Sequence, residues 1–204
     1  MNWIINQAKE GIAFFRKEIL KTVLFVTILF FVIAIIAWIV LILNPVWMQR
    51  AISYLQNLMS GIGSNGVVSA WDLFSNNLRA CLITVAFGFI PFFFLGIISL
   101  VVNATTIGIV GSMYQYYHMS MALLIAGLLP HGIFEFPAIF ISMALGFRTC
   151  YLMSKRIIGK LDTLDMKIHF FNVVRVFILI VIPLLIVAAF VEANITPEVM
   201  NWFI

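Results

Sequence analysis

Hydrophobic positions in this chain fall into long runs rather than alternating or narrowly striped patterns, and such runs predict helices that are apolar all round. The longest, Thr22 to Leu43, holds 22 residues without a charge. Further runs lie near 81–102, 103–118, 136–152 and 176–193. A helix of about 20 predominantly apolar residues crosses a bilayer, whereas a closed barrel needs short alternating segments, which this chain lacks. The pattern therefore predicts an all-α polytopic membrane protein of about five transmembrane helices.

The intervening stretches refine that picture. In residues 1–21, Ile5, Ala8, Ile12, Phe15 and Ile19 recur at helical spacing, opposite Lys9, Glu10, Arg16, Lys17 and Glu18. This predicts an interfacial amphipathic helix on the inner leaflet, leading into a single membrane domain over 22–204. The run that follows is too long for the apolar core of a cleaved signal peptide, so it reads as a retained helix. Asn44 and Pro45 end it. Ile52, Leu55, Leu58 and Met59 then suit a short amphipathic helix at the outer surface, with a turn over GIGSNG, Gly61 to Gly66. Ser69 with Asp72 three residues on resembles a capping box and predicts a helix starting near Ala70 and continuing into the membrane. Trp47 and Trp71 suit an aromatic belt.

Within the later runs, Gly88 and Pro91 predict a kink in the helix over 81–102. Ala104, Gly108, Gly111 and Ser112 permit close helix packing over 103–118. Met119 to Leu129 is only 11 residues, which predicts a re-entrant half-helix stopped by Pro130. A helix restarting near Glu135, with Pro137 in its first turn, would complete the crossing to Leu152. The last span, 176–193, contains Pro183.

Composition agrees and adds direction. With 64% hydrophobic and 10% charged residues, the chain lies well outside the soluble globular range. The net charge of +4 matters by position. Of twelve Lys and Arg residues, four fall in 1–21 and six in 148–175, leaving Arg50 and Arg79. The positive-inside rule places both clusters in the cytoplasm, hence the N-terminus inside and, after five crossings, the C-terminus outside the cell membrane. The charge gives no reason to invoke nucleic acid. No G-x-x-x-x-G-K-[ST] loop occurs, so ATP-driven work would need a partner. Cys81 and Cys150 are assigned to opposite faces, which rules out a disulfide between them.

The chemistry concentrates in Leu128 to Phe140, LLPHGIFEFPAIF, where His131 and Glu135 stand between Pro130 and Pro137. Ionisable residues inside an apolar helix cost several kcal/mol on the mildest scales and mark a functional site by default. A proton relay, an ion or metal site and a polar binding point are the functional readings. The structural reading, which the flanking prolines favour, has the pair hydrogen-bonding backbone that Pro130 and Gly132 set free. A zinc set of His131, Glu135 and His118 lacks the second histidine and separate base of H-E-x-x-H. No catalytic, cofactor or metal-binding residue is assigned on this basis. Asn76 and Asn77, with Arg79, suit the outer interface, and Asn103, Thr105 and Thr106 suit bonds across helices.

These residues resemble the stage II sporulation protein M family, whose members share an LPHG-x-x-E-L-P-A-like motif. Here the match is Leu129, Pro130, His131, Gly132, Glu135, Pro137 and Ala138, with Phe136 in place of the usual Leu. Asn76, Asn77, Gly96, Asn103 and Gly108 also resemble the family pattern, while Ala104 stands where a glycine is common. The resemblance covers roughly 76–148. It implies a multi-pass membrane fold and work alongside peptidoglycan-degrading partners, ATP-driven exporters or bacteriocin systems.

The resulting expectation is a non-enzymatic membrane scaffold or accessory subunit. Its expected partners are the lipid bilayer and an exporter ATPase or cell-wall hydrolase complex, or further copies of the chain, with no cofactor. The alternative is a transport component with a polar substrate or ion site at the broken helices around His131 and Glu135. An intramembrane metal-dependent hydrolase comes third.

Overall fold

Among the residues described by the computed structural model, 2–60 and 69–203, the only regular secondary structure is helical, joined by short turns. The turn expected at Gly61 to Gly66 lies outside the described residues. The first element, α1 (Asn2–Phe14), passes through a π-helical segment (Phe15–Ile19) into α2 (Leu20–Leu43). The Leu20 N–H reaches five residues back to the Phe15 carbonyl. The amphipathic and apolar stretches expected as separate elements at residue 21 are thus one continuous helix, whose Ile5–Leu43 part contains an apolar stretch long enough to cross a membrane. The inserted π turn rotates the charged face of α1 relative to the apolar barrel of α2.

Helix α3 (Pro45–Ser60) starts where Asn44 accepts the Trp47 N–H on its Oδ1 at 3.2 Å. Its Met48 and Ile52 pack on Leu41 and Ile109. Helix α4 (Ala70–Phe87) begins with the expected capping box: the Asp72 N–H donates to Ser69 Oγ at 3.1 Å, and the Ser69 N–H returns to Asp72 Oδ2 at 3.2 Å.

The expected kinked span over 81–102 is instead broken. Helix α4 stops at Phe87, residues 88–95 form a turn, and α5 (Gly96–Tyr116) begins beyond it. Thr84 Oγ1 donates to Ser99 Oγ at 2.9 Å across the hairpin so formed. Pro91 breaks the chain here because neighbours stabilise the turn: Ser154 Oγ accepts the Phe92 N–H at 2.8 Å, and Cys150 Sγ donates to the Ile90 carbonyl at 3.3 Å. Phe92 and Phe94 take positive φ, 68° and 46°. The short element expected over 103–118 is therefore the second part of α5, a 21-residue helix.

Helix α6 (Met121–Ile157) runs 37 residues straight through Pro130 and Pro137. It replaces both the re-entrant half-helix expected to stop at Pro130 and the helix expected to restart near Glu135. A proline removes a single i→i−4 bond, and the neighbouring turns and packed helices hold the rest of the ladder together. Helix α7 (Thr163–Val176) continues through a second π-helical segment (Phe177–Val181) into α8 (Ile182–Asn194), and α9 (Thr196–Asn201) follows. The π turn sets Pro183 near the start of α8, where its missing N–H costs little.

Helix α6 is the centre of the assembly. On one side Ala138, Ile141 and Leu145 pack with Val85, Val176 and Leu185. On the other, Phe140 and Met143 pack with Val26, Phe30 and Leu100. The approach of α5 to α2 depends on Gly108, where a Cβ would lie 2.6 Å from the Ala34 carbonyl oxygen, as the small-residue pattern predicts.

Among the described residues, four helical stretches are long and apolar enough to cross a membrane: Ile5–Leu43, Gly96–Tyr116, Met121–Ile157 and Thr163–Asn194. Helix α4 packs beside α6 and α8 but carries Asp72, Asn76, Asn77 and Arg79 within its first ten residues. The two basic clusters meet at one end of the bundle. Arg148 pairs with Glu18, and Arg175 pairs with Glu10 at 2.8 Å.

Candidate functional site

Because α6 is continuous, His131 and Glu135 share one face of a regular helix, four residues apart. Glu135 lies thirteen residues from Arg148, about 20 Å along the axis at 1.5 Å per residue. It is therefore well inside the apolar part of the bundle. His131 Nε2 and Glu135 Oε2 stand 3.9 Å apart, with side chains 12% and 18% exposed. That separation is too long for a direct hydrogen bond.

Two further residues reach the pair from the last helices. Glu192 of α8 brings its carboxylate to the site, so that one ligand atom each from His131, Glu135 and Glu192 lie within 4.8 Å of one another. Thr196, buried at the start of α9, places Oγ1 3.3 Å from His131 Nδ1 and 3.3 Å from the Val191 carbonyl oxygen. Helix α4 contributes Asn77, which lines the same cavity as Glu135.

These groups line a cavity of about 260 Å³. Asn76, Asn103, Thr106 and Leu128 complete its polar wall and rim, and Phe30, Phe136 and Ile139 its apolar wall. Phe136 stacks on Phe140, with ring centroids 6.0 Å apart, and tilts against Phe30 at 5.8 Å. Gly132 sits beneath this ring: a Cβ there would lie 3.1 Å from Phe136 Cε2. Asn76 is exposed, so the polar wall continues to the protein surface. Among the described residues lining the cavity there are two carboxylates and no lysine or arginine.

The motif expected from sequence is thus partly assembled here and partly not. His131, Glu135, Asn76, Asn77 and Asn103 share the cavity. Asn103 also bonds within its own helix, Nδ2 donating to the Ser99 carbonyl at 2.8 Å. Pro130 and Pro137 lie inside α6 without breaking it, and Gly108 acts at the α5–α2 crossing instead. His118, weighed as a third ligand, lies beyond the far end of α5. Glu192 and Thr196 were missed. The signal for Glu192 was an acid inside the last apolar run, the same signal that marked Glu135.

A second polar cluster lies at the basic end. Thr149 Oγ1 donates to the Leu145 carbonyl at 2.7 Å and so accepts from His169 Nε2 at 3.0 Å. The Phe14 ring meets His169 edge-on, at 5.6 Å. Its members are tied to one another, and they lock α1 to α6 and α7.

A family model described as Stage II sporulation protein M matches residues 26–197. An uncharacterized protein of Methanocaldococcus jannaschii is 27% identical over 133 residues, covering 65% of this chain and 74% of that protein. No solved structure matches.

Proposed function

The chain belongs to the stage II sporulation protein M family, and from this we propose that it is a non-enzymatic membrane subunit whose contribution is transport. A small polar solute or cation occupies the cavity between α4, α5, α6 and α8. The observation that carries the reading is the cavity's lining: two carboxylates, an imidazole and three asparagines facing an open space inside an apolar bundle. A clamp that only repaired proline-broken backbone would account for His131 and Glu135, yet it would leave Glu192 without a task. It would also close the space rather than line it. Charged groups at this depth are retained where they meet a substrate or a water-filled path.

In this reading the protein sits in the cell membrane with its N-terminus cytoplasmic and its C-terminus outside. It works within a larger membrane complex, and an exporter ATPase would supply energy the chain has no loop to harvest. The test is cysteine labelling at Thr106→Cys in intact cells and in inverted membrane vesicles, so that native partners are present. The native cysteines are buried, which keeps the background low. Modification by a membrane-impermeant cationic thiol reagent from both sides, faster than by its anionic analogue, is the expected result. A folded variant reached from neither side, or from one side only, would overturn the transport role.

A further inference from the structure

Thr196 Oγ1 stands 3.3 Å from the Val191 carbonyl oxygen and 3.3 Å from His131 Nδ1. A hydroxyl has a single proton. Donated to the carbonyl, it leaves only lone pairs facing the ring, so Nδ1 carries the ring N–H and donates it to Thr196. Nε2 of the neutral ring is then a bare lone pair, turned toward the Glu135 carboxylate at 3.9 Å. The Glu192 carboxylate completes a set in which one ring nitrogen of His131 and one oxygen each of Glu135 and Glu192 lie within 4.8 Å of one another. Three lone-pair donors this close together repel unless a proton or a cation stands between them, and no lysine or arginine among the described lining residues supplies a charge.

We propose that His131 Nε2, Glu135 and Glu192 bind one divalent transition-metal ion of the Zn²⁺ type, with Thr196 holding the imidazole in its ligating tautomer. The proposal rests on the reading of the cavity as cation-accepting and names the cation. An imidazole with two carboxylates suits zinc and its neighbours, whereas Mg²⁺ and Ca²⁺ prefer oxygen ligands throughout. Three protein ligands also leave a position open toward the cavity. A point equidistant from corners 4.8 Å apart lies about 2.8 Å from each, so side-chain rotations of well under 1 Å bring all three to zinc-ligand distances of about 2.0–2.2 Å. The Thr196 hydroxyl plays the part of the outer partner that orients a ligating histidine through its other nitrogen. The proposal assigns binding and no reaction.

The test uses the full chain, purified in detergent, stripped with a chelator and titrated with Zn²⁺ against a chromophoric competitor. Expected are one Zn²⁺ per chain, no displacement by millimolar Mg²⁺, at least tenfold weaker binding in Glu192→Gln, and about tenfold weaker binding in Thr196→Val. The Thr196 variant leaves every ligand in place, so its loss reports the tautomer device. Wild-type protein without stoichiometric zinc, or a folded Glu192→Gln variant with undiminished binding, would overturn the proposal. Should zinc fail to bind while Thr106→Cys is still reached by the cationic reagent from both sides, the metal is wrong and the transport reading stands. Zinc binding with no access at Thr106 would uphold the metal site and overturn transport.

Discussion

A Cβ on Gly88 would stand 2.4 Å from the Gly146 carbonyl oxygen, and one on Gly146 would stand 2.6 Å from the Thr84 carbonyl oxygen. The backbones of α4 and α6 therefore touch at this crossing, with no flexible side chain to yield. Gly146→Ala is expected to push the helices apart at a cost of about 1–3 kcal/mol, read as a lower thermal midpoint in detergent. Gly127→Ala is the control, because its Cβ would meet the movable Met200 Sδ at 3.2 Å. Equal midpoints for the two variants would refute the close crossing.

Arg148 pairs with Glu18 across α6 and the first helix, and the two side chains are 29% and 31% exposed. The Nε of Arg148 is buried without a hydrogen-bond partner among the described residues, and the guanidinium carbon lies 5.6 Å from the centre of the Tyr151 ring. A double-mutant cycle with Glu18→Gln and Arg148→Met should return a coupling of about 1–2 kcal/mol, between the values for exposed and for buried pairs. Independent, additive effects would show that the pair contributes nothing to holding α1 in place.

The broken hairpin at residues 88–95 changes what reporter fusions should read. A reporter inserted after Phe93 is expected in the cytoplasm, beside the basic clusters that Arg148 and Arg175 hold at that end. Fusions after Tyr117 and at the C-terminus are expected outside. A cytoplasmic signal from either of the last two would reverse the orientation.

Ser154 holds the turn after α4 by accepting the Phe92 N–H at 2.8 Å while donating to the Cys150 carbonyl at 2.8 Å. Such contacts offset the strain of Phe92 at a φ of 68°. Ser154→Ala should cost about 1 kcal/mol and speed amide exchange at Phe92, whereas Ser154→Thr should restore protection. Unchanged exchange in the alanine variant would mean the turn is held by other bonds.

Much of the fold was legible along the chain. The apolar runs specify helices long enough for a membrane, Ser69 with Asp72 marks the start of α4, and Gly108 marks a close helix approach. Each of these is local information: a period, a cap, a missing side chain. The site was half legible for the same reason. His131 and Glu135 are four residues apart, so any helix sets them on one face, and their cost in an apolar run makes them conspicuous. Glu192 carried the same signal, at the end of the last apolar run, but it has no ionisable partner within four residues in sequence as His131 has in Glu135.

By itself, then, the sequence determined a helical membrane protein, the segregation of its basic residues into two clusters, and a polar pair on one face of a helix. Tertiary structure decided what its prolines do and what the pair meets. Pro91 ends a helix and Pro130 and Pro137 do not, although each lacks the same N–H. The difference lies in neighbours: Ser154 and Cys150 satisfy an open turn at Pro91, while the helices packed around α6 keep its interrupted ladder in line. The partners of His131 are likewise set by packing, since Glu192 and Thr196 lie some 60 residues away and reach it only once α8 and α9 close against α6. No periodicity in a sequence can express a contact made across that interval.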